Sequence, residues 1–101
     1  MTLIAIMTVR KDAIQKFRSF ESKAAVMMAR HGGAIERTVV VPLADRTNLF
    51  KEVHIVTFPS TDAFSAYRQD RSLEEIAYLR NEAVVDTEVM IGEEGPNYQP
   101  R

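Results

Sequence analysis

Histidine is the side chain that titrates nearest neutrality, and this 101-residue sequence has two, His31 and His54. His54 stands in FKEVHIVTFPS, residues 50–60, between Val53 and Ile55 and ahead of Val56 and Phe58. There an imidazole can act as a general base, or donate to a ligand carbonyl or enolate. The structural alternative is a hydrogen bond to a Thr or Glu across an interface. His31 falls in RHGG, where a helix ends and a ring N–H can satisfy unpaired carbonyls. With two histidines and no cysteine, a metal site would need carboxylates, and these show no telling spacing. No metal is expected. Arg80 is of the type that clamps a ligand carboxylate in bidentate fashion; otherwise it pairs with a neighbouring acid. Tyr67 offers its ring to a core and its hydroxyl to a rim. Glu36 and Glu88 read as edge-strand charges, and Met27 and Met28 as gap-filling core.

The totals narrow the setting. This length is one domain. Apolar residues make up 46 % and charged residues 27 %, the mix of an ordinary globular protein. A net charge of −1 gives no basic field to draw nucleic acid or anionic lipid, so neither is an expected partner. The absence of cysteine excludes disulfides and thiolate catalysis and fits a cytoplasmic location. MTLIAIMTVRKD reads as a strand and not a leader peptide. No apolar run approaches the roughly 20 residues of a membrane span.

The elements that must position these side chains follow from periodicity. Leu3, Ala5, Met7 and Val9 alternate with Thr2, Ile4, Ile6 and Thr8, a strand apolar on one parity and half apolar on the other. Residues 11–31 follow the helical period through Ala13, Phe17, Phe20, Ala24, Met27 or Met28, and His31. Lys16, Arg18, Glu21 and Lys23 fall mostly on the other side, and Gly32-Gly33 ends the helix. Residues 33–41 form a second strand, 42–49 a loop, and 50–58 a third strand that Pro59 stops. Ser60 or Thr61 caps a short helix with Ala63, Phe64 and Tyr67 as its stripe. After a break at QDR, Ser72 and Glu75 open a further helical segment as a capping box, with Arg71 paired to Glu74 and Glu75. Its inner face is Leu73, Ile76, Leu79 or Arg80, and Ala83. Residues 84–92 are the last strand, and 93–101 have the character of a tail.

Strand, helix, strand, strand, helix, strand is the α+β order of the ferredoxin-like βαββαβ sandwich over residues 1–92. It implies a four-stranded antiparallel sheet with the first and third strands in the middle. The set expected to face the helices is Leu3, Ala5, Met7, Val9, Val53, Ile55, Val85, Val89 and Ile91. The other face would carry Ile4, Ile6, Val40, His54, Val56, Phe58 and Met90. So large an apolar patch calls for cover, and a second copy laid face to face supplies it as a two-fold homodimer. His54 would then sit in the interface, where a small, mostly apolar cavity can form.

The run VTFPSTDAFSAYRQDRSLEEIAYLR, together with the Gly-Gly step of RHGGAIE, resembles the DUF1330-like proteins of the dimeric α/β-barrel superfamily. The likeness in element order covers nearly the whole chain. It implies a dimer whose sheets form an α/β barrel. It also places the chain near cofactor-independent monooxygenases of polyketide-type aromatics, muconolactone isomerase-like enzymes and haem-degrading proteins. The Asn and helix-borne His ligand of the haem-degrading members have no clear equivalent here, and no cofactor is expected. Tyr67 and Arg80 match recurrent family positions.

The expectation is thus a dimeric α/β-barrel protein of uncharacterised activity. It would hold a small apolar or aromatic ligand between sheet and helices or at the dimer core. Tyr67, Arg80, Phe58 and Ile6 are the candidate ligand-binding residues. The catalytic alternative is a cofactor-independent monooxygenase or isomerase acting on an aromatic or lactone substrate with His54 as base. The fold alone does not choose between them.

Overall fold

The computed structural model describes residues 1–45 and 48–100. The chain runs β1 (Thr2–Arg10), a 3-10 turn (Lys11–Ala13), α1 (Ile14–Arg30), β2 (Ala34–Pro42), β3 (Leu49–Thr57), α2 (Thr61–Arg68), α3 (Arg71–Glu75), α4 (Ala77–Ala83) and β4 (Val84–Gly92). Residues 46–47, in the loop expected over 42–49, and residue 101 of the tail lie outside the described residues. Residues 93–100 carry no regular secondary structure. The sheet order is β2-β3-β1-β4, antiparallel throughout. This is the ferredoxin-like α+β sandwich, with β1 and β3 at the centre of the sheet.

The register overturns half of the expected face assignment. Leu3 pairs with Val56, Ala5 with His54, Met7 with Glu52 and Val9 with Phe50. Cross-strand partners point to the same side of a sheet. The helix-facing set of β3 is therefore Phe50, Glu52, His54 and Val56, and Phe58 just beyond it is buried as well. Val53 and Ile55 face the other way, with Ile4 and Ile6. The physical reason is bulk: burying two phenylalanines outweighs burying Val53 and Ile55, and Glu52 and His54 are carried inward with them. On β4, Thr87, Val89 and Ile91 pair with Met7, Ala5 and Leu3. Val85 falls in the register shift near the strand's start and is half exposed.

Local signals explain the helix ends. Ser60 caps α2, its hydroxyl accepting from the Ala63 N–H at 3.1 Å. The capping box at Ser72 does not form. Asp70 caps α3 instead, accepting from the Ser72 N–H at 2.9 Å, since a carboxylate two residues earlier reaches the same orphan donors. Gly32 holds φ at +75° beyond the C-terminus of α1, the conformation that favours glycine.

Three buried clusters make the core. Met7, Val9, Phe17, Phe50 and Ala83 form the first. Leu3, Met28, Val56 and Phe58 form the second, extended by Phe64 and Tyr67. Phe20, Ala24, Ile76 and Leu79 form the third. The Gly-Gly corner packs on the turn that ends β3. A Cβ on Gly33 would lie 2.4 Å from the Phe58 ring and 2.6 Å from Met28, and one on Gly32 would lie 2.7 Å from Pro59. Gly33→Ala is therefore expected to displace Phe58 or Met28 and lower the unfolding free energy by about 1–3 kcal/mol, read from the urea midpoint.

Candidate functional site

Glu52 and His54 are two residues apart on one strand, so both side chains point toward the helices. Glu52 is 1 % exposed and His54 4 %. His54 Nε2 lies 2.7 Å from Glu52 Oε2. The other Glu52 oxygen accepts from Arg18 of α1. The Arg18 guanidinium lies 5.6 Å and 6.0 Å from the ring centroids of Phe17 and Phe50, which hold it in place. An ionised carboxylate only accepts, so a hydrogen sits on His54 Nε2 and Nδ1 is the ring nitrogen turned away from Glu52. Glu21 Oε2 is 3.8 Å from that Nδ1, outside hydrogen-bond range.

Glu21 sits on the inner stripe of α1, four residues after Phe17 and three before Ala24. Burial pushes its carboxyl above the ordinary carboxylate range. The His54 imidazole pulls it back, Glu52 pushes it up, and Arg80 and Arg18 pull it down. The chain thus brings Arg18, Glu52, His54 and Glu21 into one line across the helix–sheet interface.

The line ends in a cavity of about 510 Å³. Its floor is Leu3, Ala5, Met7, Val56 and Phe58; Phe20 and Met28 close it from α1. Phe64, Tyr67 and Leu73 cover it, and Arg80, Asn81 and Thr87 stand at one side. Ala5, the small cross-strand partner of His54, leaves open space in front of the imidazole. Tyr67 stacks at 5.5 Å against Phe58. Its hydroxyl is pushed up to about 12, chiefly by burial and next by Glu21, so it stays an O–H donor. Arg80 donates to Thr87 Oγ1.

His54, Phe58, Tyr67 and Arg80 therefore line one space, on the helix side of the sheet and not on the open face where His54 and Phe58 were expected. Ile6 does not join them. It pairs with Val53 and Glu88 on the open face, because its parity is opposite to that of Ala5 and Met7. His31 does not turn its ring to the carbonyls of its own helix. Its Nε2 lies 2.8 Å from Asp70 Oδ2, and this bond, with the Ser72 N–H second, holds the Asp70 carboxyl below its ordinary range. Glu36 and Glu88 are exposed on the edge strands β2 and β4. Sequence reasoning missed Arg18, Glu21 and Glu52. The signals were present: Glu21 keeps the spacing Phe17, Glu21, Ala24, Met28, and Glu52 has the parity of Phe50 and Phe58. Among the described residues no three His, Asp or Glu side chains are grouped to hold a metal, and no helix is long and apolar enough to cross a membrane.

No protein-family model and no curated protein matches the sequence. Solved structures do share the fold. SnoaB, a cofactor-independent oxygenase from Streptomyces nogalater, superposes with a TM-score of 0.62 at 15 % identity, over 93 % of this chain and 94 % of SnoaB. A protein of unknown function from Rhodopseudomonas palustris gives 0.70 at 17 %, over 93 % and 84 % of the two chains. An antibiotic biosynthesis monooxygenase gives 0.65 at 12 %, over 94 % and 98 %. At such identities the likeness is one of fold.

The raised Glu21 carboxyl has a consequence for stability. An acid whose folded pKa lies above its unfolded one contributes stability below the unfolded pKa and loses it as pH rises through the folded pKa. At neutral pH the buried carboxylate opposes folding. Glu21→Gln is expected to raise the thermal midpoint at pH 7. The gain should shrink as pH falls below the ordinary carboxylate range, measured by thermal unfolding across pH.

Proposed function

We propose that this protein binds a small, mostly apolar ligand in the cavity between its sheet and its helices, and that His54 acts there as a general base on a carbonyl ligand of aromatic or lactone type. The observation that carries this reading is the orientation of His54: Glu52 meets Nε2 at 2.7 Å, which leaves Nδ1 on the side of Glu21, with both residues lining a mostly apolar cavity. A base held by a carboxylate that is itself held by a cation is the arrangement expected of an activated imidazole. Abstraction of a proton next to the carbonyl leaves an enolate. Arg80 and the Tyr67 O–H stand on the same cavity and can stabilise its oxygen. The enolate is then reprotonated elsewhere, an isomerisation, or reacts with dioxygen, a monooxygenation without cofactor. The second outcome is the class named for SnoaB, which supports the reading by likeness of fold.

The test separates binding from turnover. His54→Gln keeps a donor toward Glu52 and removes the base. It is expected to bind aromatic ketones and lactones within about threefold of wild type while turnover falls by about 10²–10⁴-fold. Wild-type binding without turnover on any such ligand would leave a binding protein only.

We also propose that two copies pair through the open sheet face. Ile4, Ile6, Val53 and Ile55 lie there with Val39, Val41 and Met90, which are 40 %, 39 % and 43 % exposed. That is an apolar field across all four strands. Val56, earlier placed in this interface, is 3 % exposed on the helix side and belongs to the core. Ile6→Glu is expected to convert a dimer into a folded monomer, read by light scattering with circular dichroism as the check on folding.

A further inference from the structure

Glu21 has no evident structural use. Its side chain is 16 % exposed, and the His54 imidazole lies 3.8 Å from it. Glu52, by contrast, is held on both oxygens. Among the described residues no buried side-chain oxygen lacks a partner, so the Glu21 carboxyl is not an orphan sealed in the core. It lines the cavity. A carboxyl kept in an apolar cavity without a cation of its own works against folding, and such groups collect at functional sites.

We propose that Glu21 is the second proton-handling group of this cavity, the carboxyl that returns to the ligand the proton His54 removes. The proposal rests on the reading of His54 as base and deepens it. The fitting ligand is a ketone or lactone with an acidic proton on the carbon beside its carbonyl, and no oxidant is needed. The steps balance. Nδ1 takes the proton from the carbon beside the carbonyl, and the bond's electron pair passes into the enolate. The Glu21 carboxylic acid donates its proton to the enolate carbon, the enolate's electron pair forms the new C–H bond as the carbonyl is restored, and Glu21 becomes a carboxylate. Nδ1 then passes its proton to Glu21 across the 3.8 Å gap, and both groups return to their first state. Burial, the largest influence on Glu21, pushes its carboxyl above the ordinary carboxylate range and so favours the acid form that donates. The groups that set its titration are His54 and Glu52 of β3, Arg80 of α4 and Arg18 of its own helix; the Tyr67 hydroxyl of α2 is coupled to it in turn.

The experiment uses 2-tetralone, an aromatic ketone with exchangeable α-protons, in deuterated buffer. Exchange is followed by proton NMR with wild type, Glu21→Gln and His54→Gln. Wild type is expected to accelerate exchange over buffer. Each variant should lose about a hundredfold, and the wild-type pH profile should show a limb that disappears in Glu21→Gln. In parallel, the Glu21 carboxyl is titrated by carbon-13 NMR. Its midpoint should lie above an ordinary glutamate's and rise further in His54→Gln, where the imidazole's downward pull is gone. If Glu21→Gln exchanges like wild type while His54→Gln does not, the proposal falls and His54 stands as the sole proton carrier. If wild type exchanges no faster than buffer, the base reading falls and takes this one with it. An ordinary Glu21 midpoint, unmoved in His54→Gln, also overturns the proposal. Thermal unfolding of both variants at pH 7 keeps lost exchange distinct from lost structure.

Discussion

A carboxylate that is 1 % exposed survives in a protein interior only if charge and hydrogen-bond partners meet it there. Glu52 is met by Arg18 from α1 and by His54 from its own strand. Much else follows from that one constraint. It ties α1 to the middle of the sheet, and it sets the rotation of the imidazole and the nitrogen that is turned toward Glu21. Such a buried ionic group is a poor way to gain stability, since apolar side chains of similar size are often neutral or better in its place. Its presence makes sense as a device for orientation.

The cavity tells the same story from the packing side. A chain of 101 residues has little interior to spare, yet its three apolar clusters do not close on one another. Met7, Phe20, Leu3 and Val56, drawn from different clusters, all border the open space. Part of its cover is lightly anchored. Neither α2 nor α3 has a buried residue. They are held by Phe64 and Tyr67 against Phe58 and by the His31–Asp70 bond. Elements with so little buried surface open at low free energy, so the cavity can be uncovered without disturbing the sheet.

Much of this was legible from the residues alone. Element order, the centre and edges of the sheet, the Ser60 cap and the glycine stop of α1 all follow from periodicity and turn chemistry. His54, Phe58, Tyr67 and Arg80 could be named, though not placed. The faces of β3 could not be read, because both parities are apolar: Val53 and Ile55 compete with Phe50, Val56 and Phe58. The expectation put Val53 and Ile55 toward the helices and His54, Val56 and Phe58 on the open face, the reverse of what the register shows. Glu21 was misread as well, although it keeps the spacing of the buried stripe. Local rules fail most readily where polar groups are buried, and Glu52, His54 and Glu21 are the buried polar groups gathered at the candidate site. The Ser72 capping box failed differently, losing to a better-placed acceptor at Asp70 that lies outside the motif.

The register also separates two surfaces that the sequence merges. Successive residues of a strand point to opposite sides, so Glu52 and His54 face the cavity while Val53 and Ile55 face the apolar field proposed for a second copy. A copy laid on that field meets the back of the sheet and does not cap the cavity, whose walls come from this chain's own helices. Every polar group invoked for chemistry, from Arg18 through Glu52 and His54 to Glu21, Tyr67 and Arg80, belongs to one chain. The pairing of copies and the chemistry of the cavity therefore touch only through the strands they share. The sheet can be covered on one side for stability and left incompletely filled on the other for a ligand.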